Sequence, residues 1–223
     1  MSRVALCISG QPRFIEENFD SINRHIIEPS GCDVFCHLWN TWDDSKGMNP
    51  IKAIDFYKPV SFQIQNQIEF KEDEARLFRM KSMFYSVFRS NELRKEFERM
   101  TGHRYECVIR CRTDKIFDIN FDIAEFDSAP DALWIHNDGL FPCGVRTYSD
   151  AFGFGSSENM NKYCYFFNYI DELKSVFESD HAGHRAAPEC YFTYYIDHMA
   201  KIRDVRITKM RRVLEPHYVR SKS

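Results

Sequence analysis

The chain has 223 residues, with 30 Lys and Arg against 33 Asp and Glu for a net charge of −3, and 43% hydrophobic and 15% aromatic residues. A chain of this length buries roughly 70% of its unfolded surface, so it needs no disulfide or metal staple, and its aromatic content excludes a disordered polymer. The charge balance offers no broad basic face to nucleic acid, and no 18-residue apolar stretch is present to span a bilayer.

Met1-Ser2-Arg3 followed by Val4 to Ser9 is too short an apolar run for a signal peptide, so a soluble, cytoplasmic protein is expected. Most of the eight cysteines fall in predicted strands and helices. Cys32 and Cys36, like Cys107 and Cys111, are four apart on predicted strands, roughly 13 Å along one face, which is too far to share a zinc ion. Buried, reduced thiols are expected.

Val4-Ala5-Leu6-Cys7-Ile8-Ser9 is a continuous apolar run, as a strand buried on both faces requires, and Gly10-Gln11-Pro12-Arg13 breaks it. Between Phe14 and Ile27 the apolar residues follow helical spacing, and Pro29-Ser30-Gly31 stops the helix. Asp33-Val34-Phe35-Cys36-His37-Leu38 is the second strand of a βαβ beginning. Trp39 to Pro50 reads as a loop, and Val60-Ser61-Phe62-Gln63-Ile64 alternates as an edge or third strand.

A long helix is predicted between Asp73 and Met100, with Leu77, Met80, Phe84, Val87 and Phe88 as its apolar stripe. Lys81, Tyr85 and Arg89 stack at i, i+4 and i+8, with Ser82 beside them, as a polar row. A strand from Cys107 to Arg112 follows. Lys115 to Pro130 is turn-rich, Ala132 to His136 is a strand, and Asn137 to Ser149 reads as a loop. Gly153-Phe154-Gly155 leads to a serine pair that can cap a helix from Glu158 to about Tyr169. Pro188-Glu189 opens a helix over Cys190 to Met199, and a last strand near Val205 to Thr208 precedes a basic tail with Arg211, Arg212, Arg220 and Lys222. One α/β domain over 1–223 is the expected organisation.

The segment Val108-Ile109-Arg110-Cys111-Arg112-Thr113-Asp114 carries the most chemistry. An apolar strand ends there in two arginines and a carboxylate, a combination able to hold a metal-bound anionic leaving group. Parallel α/β sheets present ligands at the carboxyl ends of their strands. Strand alternation puts Arg110, Arg112 and Asp114 on one face if the strand reaches that far, and an arginine–aspartate ion pair is the plain alternative. His37 and Trp39 end the second strand at the same edge. His181, His184, His198 and His217 show no ligand spacing.

In order and spacing, the chain resembles GT-A-type glycosyltransferases, especially small surface-polysaccharide enzymes of bacteria and of large algal viruses. The likeness runs through Ala5 to Arg13, Asp33 to Trp39, the Lys81 to Leu93 helix, Val108 to Asp114, Ser149 to Gly155 and Pro188-Glu189. It implies a single-domain, Rossmann-like fold with a mixed, mostly parallel sheet flanked by helices. It also implies transfer of a sugar from a nucleotide-diphosphate donor, UDP-linked first, to a glycan hydroxyl. Such enzymes follow a central strand with Asp-x-Asp; here the tripeptide is Arg112-Thr113-Asp114, so the first aspartate is missing.

The resemblance makes Asp114 the ligand of Mn²⁺ or Mg²⁺, with Arg112 able to neutralise phosphate directly. It assigns donor binding to Ser9, Gln11, Arg13, Lys81, Ser82, Tyr85, Arg110 and Arg112, and the base to Glu189 or Asp150, the former favoured as an ion by its helix N-terminus. Two alternatives stay open. One is a catalytically silent sugar-nucleotide or glycan-binding module of a polysaccharide assembly complex; the other is a nucleotidyltransferase, disfavoured because Gly10-Gln11-Pro12-Arg13 has one glycine and no lysine.

Overall fold

The apolar run that opens the chain becomes an inner strand because nothing on either of its faces needs water. In the computed structural model, which describes residues 2–43, 48–71, 75–140, 146–180, 188–203 and 206–209, that strand is β1 (Val4–Gly10). It leads into α1 (Ile15–Ile22), which continues through a π turn (Asn23–Ile27) into α2 (Glu28–Ser30) and then β2 (Asp33–Trp39). The elements that follow are α3 (Pro50–Tyr57), β3 (Ser61–Gln65), α4 (Ala75–Thr101), β4 (Cys107–Cys111) and α5 (Ile123–Ser128). The chain continues through β5 (Ala132–Leu140), β6 (Arg146–Ser156), α6 (Ser157–Cys164), α7 (Ile170–Asp180), α8 (Pro188–Arg203) and β7 (Arg206–Lys209), with a 3₁₀ turn (Tyr165–Tyr169) before α7.

The strands form one seven-stranded sheet in the order β3-β2-β1-β4-β6-β5-β7. Only β6 runs against its neighbours, pairing antiparallel with β4 and β5, while the other ladders are parallel. The fold is therefore α/β with a mixed, mostly parallel sheet flanked by helices. Alternation divides the core. Val4, Leu6 and Ile8 join Val34, Cys36, Ile109 and Cys111 on the face covered by α1, α3 and α5, through Ile15, Ile22, Ala53, Tyr57 and Phe126. Ala5, Cys7, Phe35 and Val108 point the other way, to Leu77, Met80, Phe84 and Val87 of α4 and to α6 and α8. Each large apolar side chain so buried contributes about 1.5–3 kcal/mol.

Several segments differ from the sequence reading. The loop after β2 ends in α3, whose cap is Asn49, accepting from the Lys52 N–H, with Pro50 in the first turn. The turn-rich stretch holds α5, capped by Asp122. The segment read as a loop over Asn137 to Ser149 extends β5 to Leu140 and starts β6 at Arg146, with register shifts at Ile135, Asn137 and Gly139. The helix expected to Tyr169 is α6, capped by Ser156, and it gives way to the 3₁₀ turn after Cys164. His181, His184, His217 and the basic tail lie outside the described residues.

The C-terminal half of α4 also buries charge. Arg94 and Glu98 pair at 2.8 Å, both essentially inaccessible, and Arg94 donates further to Asn91, Ser157 and Asn161. The described cysteines are free, and all but the half-buried Cys32 are buried. Burial pushes the Cys7 and Cys111 thiols up to about 12 and Cys32 to about 11, so these remain protonated and are poor nucleophiles at neutral pH. No described helix is long and apolar enough to cross a membrane.

Candidate functional site

Along β1, β2 and β4 the face that meets α4 changes character toward the carboxyl ends. Ala5, Cys7, Phe35 and Val108 are apolar; one or two steps farther on, the same face carries Ser9, His37, Trp39 and Arg110, all buried. The chain runs outward from β1 to β2 and β3, then returns to set β4 on the other side of β1. The strand order reverses between β1 and β4, which is where open α/β sheets take their ligands.

A cavity of about 810 Å³ opens at that point. One wall is Ser9, Gly10, Gln11 and Arg13 after β1, and the facing wall is Arg110, Arg112, Thr113 and Asp114 of β4 and its loop. Trp39, Gln67, Phe78, Arg79, Ser82 and Met83 complete it. Its size is that of a small-molecule site.

Local bonds hold the two loops in place. Gly10 has φ +114°, a region that side-chain-bearing residues avoid, and its N–H donates to Ser86 Oγ at 2.8 Å. Ser86 also donates to the His37 carbonyl and meets His37 Nδ1 at 2.8 Å, tying β1, β2 and α4 together. Burial, above all, lowers the His37 pKa to about 4, so the ring is neutral. Thr113 joins the walls: its hydroxyl donates to the Gln11 carbonyl at 2.8 Å and accepts from the Arg13 N–H.

The electrostatics of the lining are one-sided. Among the described residues, Arg13, Arg79, Arg110 and Arg112 face one carboxylate, Asp114. Arg112 grips it bidentately, Nε to Oδ1 at 2.8 Å and Nη2 to Oδ2 at 2.5 Å. Burial is the largest single influence on Asp114 and opposes ionisation. The charge and hydrogen bonds of Arg112, with Lys115 and Arg13, together outweigh it and hold the carboxyl below its ordinary range.

Arg110 is different. Its guanidinium is inaccessible, Nη1 donates to the Ala151 carbonyl at 2.5 Å, and Nε and Nη2 have no partner. Ser9 Oγ and Arg13 Nε, buried in the same lining, are also unpartnered. A buried donor left unmet costs about 1–3 kcal/mol, and more if charged. Unmet donors on three lining residues complement an anion.

The structure brings together Ser9, Gln11, Arg13, Ser82, Arg110, Arg112 and Asp114 of the expected site residues. Lys81 and Tyr85 are not in the lining. Lys81 pairs with Asp171 of α7 at 2.5 Å, and Tyr85 stacks on Trp39 with ring centroids 5.7 Å apart and its hydroxyl toward Gln65. Arg89 donates to Gln63 at 2.9 Å. Helical spacing correctly stacks these residues, but the cavity wall is the neighbouring row Phe78, Arg79, Ser82 and Met83. Asp150 is buried behind Arg112, Oδ2 lying 3.9 Å from Nη1, and Glu189 sits half-buried in the first turn of α8; neither lines the cavity. Thr113, Ser86 and Arg79 were missed by the sequence reading, although the i, i+3, i+4 spacing of Arg79, Ser82 and Met83 was available.

Asp114, the expected ligand of Mn²⁺ or Mg²⁺, is the one carboxylate among the described lining residues. Hard cations take about six or more oxygens. Here both Asp114 oxygens accept from Arg112, and among the described residues no three His, Cys, Asp or Glu side chains converge as ligands.

No protein-family model matches the chain, and no curated protein matches it. Among solved structures it is similar to one described as a glycosyltransferase involved in the glycosylation of the major capsid of PBCV-1, with a TM-score of 0.40 and 10% identity over 93% of this chain and 81% of that one.

Proposed function

We propose that the cavity binds a nucleotide-diphosphate sugar and that the chain transfers the sugar to a glycan hydroxyl. The observation that carries this reading is the buried, half-partnered Arg110 at the strand-order reversal, for which a diphosphate is the fitting partner. The cavity also offers Phe78 and Met83, apolar surface suited to the flat face of a base.

In the proposed reaction the bond from the anomeric carbon to the diphosphate oxygen breaks, and its electron pair leaves with the diphosphate. Arg13, Arg110 and Arg112 stabilise that growing negative charge from fixed positions. The acceptor oxygen bonds to the anomeric carbon as its proton passes to a carboxylate. Of the two expected bases Asp150 is proposed ahead of Glu189, because it lies against Arg112 of the lining; since it is itself outside the lining, the proton reaches it through one water.

A second reading, a silent sugar-nucleotide-binding module, is favoured by one observation: Asp114, the one carboxylate among the described lining residues, is committed to Arg112. Incubation with UDP-, GDP- and dTDP-sugars, with and without glycan acceptors, separates the two. Acceptor-dependent release of nucleoside diphosphate supports transfer, binding without release supports the silent module, and absence of binding to every donor defeats both.

A further inference from the structure

We infer that the donor diphosphate is neutralised by arginine side chains in place of a divalent cation, an inference that rests on the donor-binding reading of the cavity. Geometry is the first argument. Arg112 uses the Nε–Nη2 edge of its guanidinium to hold both oxygens of Asp114. Arg110 keeps that same edge unpartnered, buried and in the cavity lining. One guanidinium thus shows how the other takes two oxygens of a phosphate. Arg13 Nε and Ser9 Oγ, also unmet, supply further donors.

Charge is the second argument. Among the described residues the lining holds four guanidinium groups and one carboxylate, with Lys115 acting on Asp114 and Asp150 lying against Arg112. The resulting positive surplus complements the negative charges of a diphosphate diester. A divalent cation would add further positive charge to a lining that already carries a surplus. Such a cation would also have to displace Arg112 from Asp114, both of whose carboxylate oxygens accept from it.

The test is calorimetric titration of UDP, and separately of inorganic pyrophosphate, into the full chain in EDTA and then in millimolar Mn²⁺ or Mg²⁺. The expected result is binding in EDTA, with Kd changed by no more than about threefold on adding metal. Arg110→Met should weaken binding by roughly tenfold or more, and Arg110→Lys should not restore it, because an ammonium lacks the two-pronged edge. Arg13→Ala, at a half-buried position, provides a variant with little bearing on folding and should also weaken binding. Binding that requires the metal overturns this inference and leaves the donor reading standing. No binding under either condition sinks both, and wild-type affinity in Arg110→Met removes the anion role of Arg110.

Discussion

Replacing Arg110 with methionine should make the ligand-free protein more stable while removing its response to diphosphate. The native guanidinium is inaccessible and leaves Nε and Nη2 unpartnered, a penalty of about 1–3 kcal/mol for each donor. The substitution also removes the Nη1 bond to Ala151 O, worth about 1.5–3 kcal/mol as a charged hydrogen bond. Ala151 O is not orphaned, since it also accepts from the Arg112 N–H at 3.2 Å. The balance favours Met by about 1–3 kcal/mol, in line with gains seen when buried charges give way to apolar groups of similar volume.

Urea unfolding without ligand measures the effect as a higher midpoint at unchanged m-value. A gain of about 2 kcal/mol raises the Tm by roughly 4–8 °C for a chain of this size. Diphosphate at 100 times its Kd should stabilise the wild type by about 2.7 kcal/mol and the variant by almost nothing. If Arg110→Met loses 2 kcal/mol or more without ligand, about the gain expected, the side chain is a structural group and the argument from its unmet donors fails.

Two further outcomes depend on buried polar groups of the scaffold. Arg94→Ala leaves Glu98 buried without its 2.8 Å partner and should cost about 3–5 kcal/mol in urea unfolding; a loss below 1 kcal/mol, near that of a surface ion pair, contradicts the buried-network assignment. His37 titrates near 4 when folded against 6.5 when unfolded, so the unfolded chain binds the proton first as pH falls, and stability is lost from about 6.5 down to 4. Between pH 7 and pH 5 this amounts to about 2 kcal/mol, and His37→Gln should flatten the slope of unfolding free energy against pH by that amount.

Elements whose own residues dictate their environment were readable in advance. β1, β2 and β4 are mostly apolar and buried on both faces, so they belong inside a sheet, and α4 shows its core stripe in Leu77, Met80, Phe84 and Val87. The Gly10 break and the arginine-bearing end of β4 were visible in the same stretches. α3 had a sequence signal in Asn49-Pro50, a cap followed by a first-turn proline, which a reading of polar residues as loop passed over. The extension of β5 through Asn137 and Gly139 had none, because its strand character comes from pairing with β6.

The site shows the same division. The sequence by itself determined which residue types stand at the carboxyl edge of the sheet, since alternation and apolar runs act over a few residues. Only the tertiary structure decided their partners: Arg112 closes on Asp114, Lys81 is drawn to Asp171, and Arg110 is buried with an open edge. Pairing is set by distances of a few ångströms between elements far apart in the chain, and no local spacing encodes those distances.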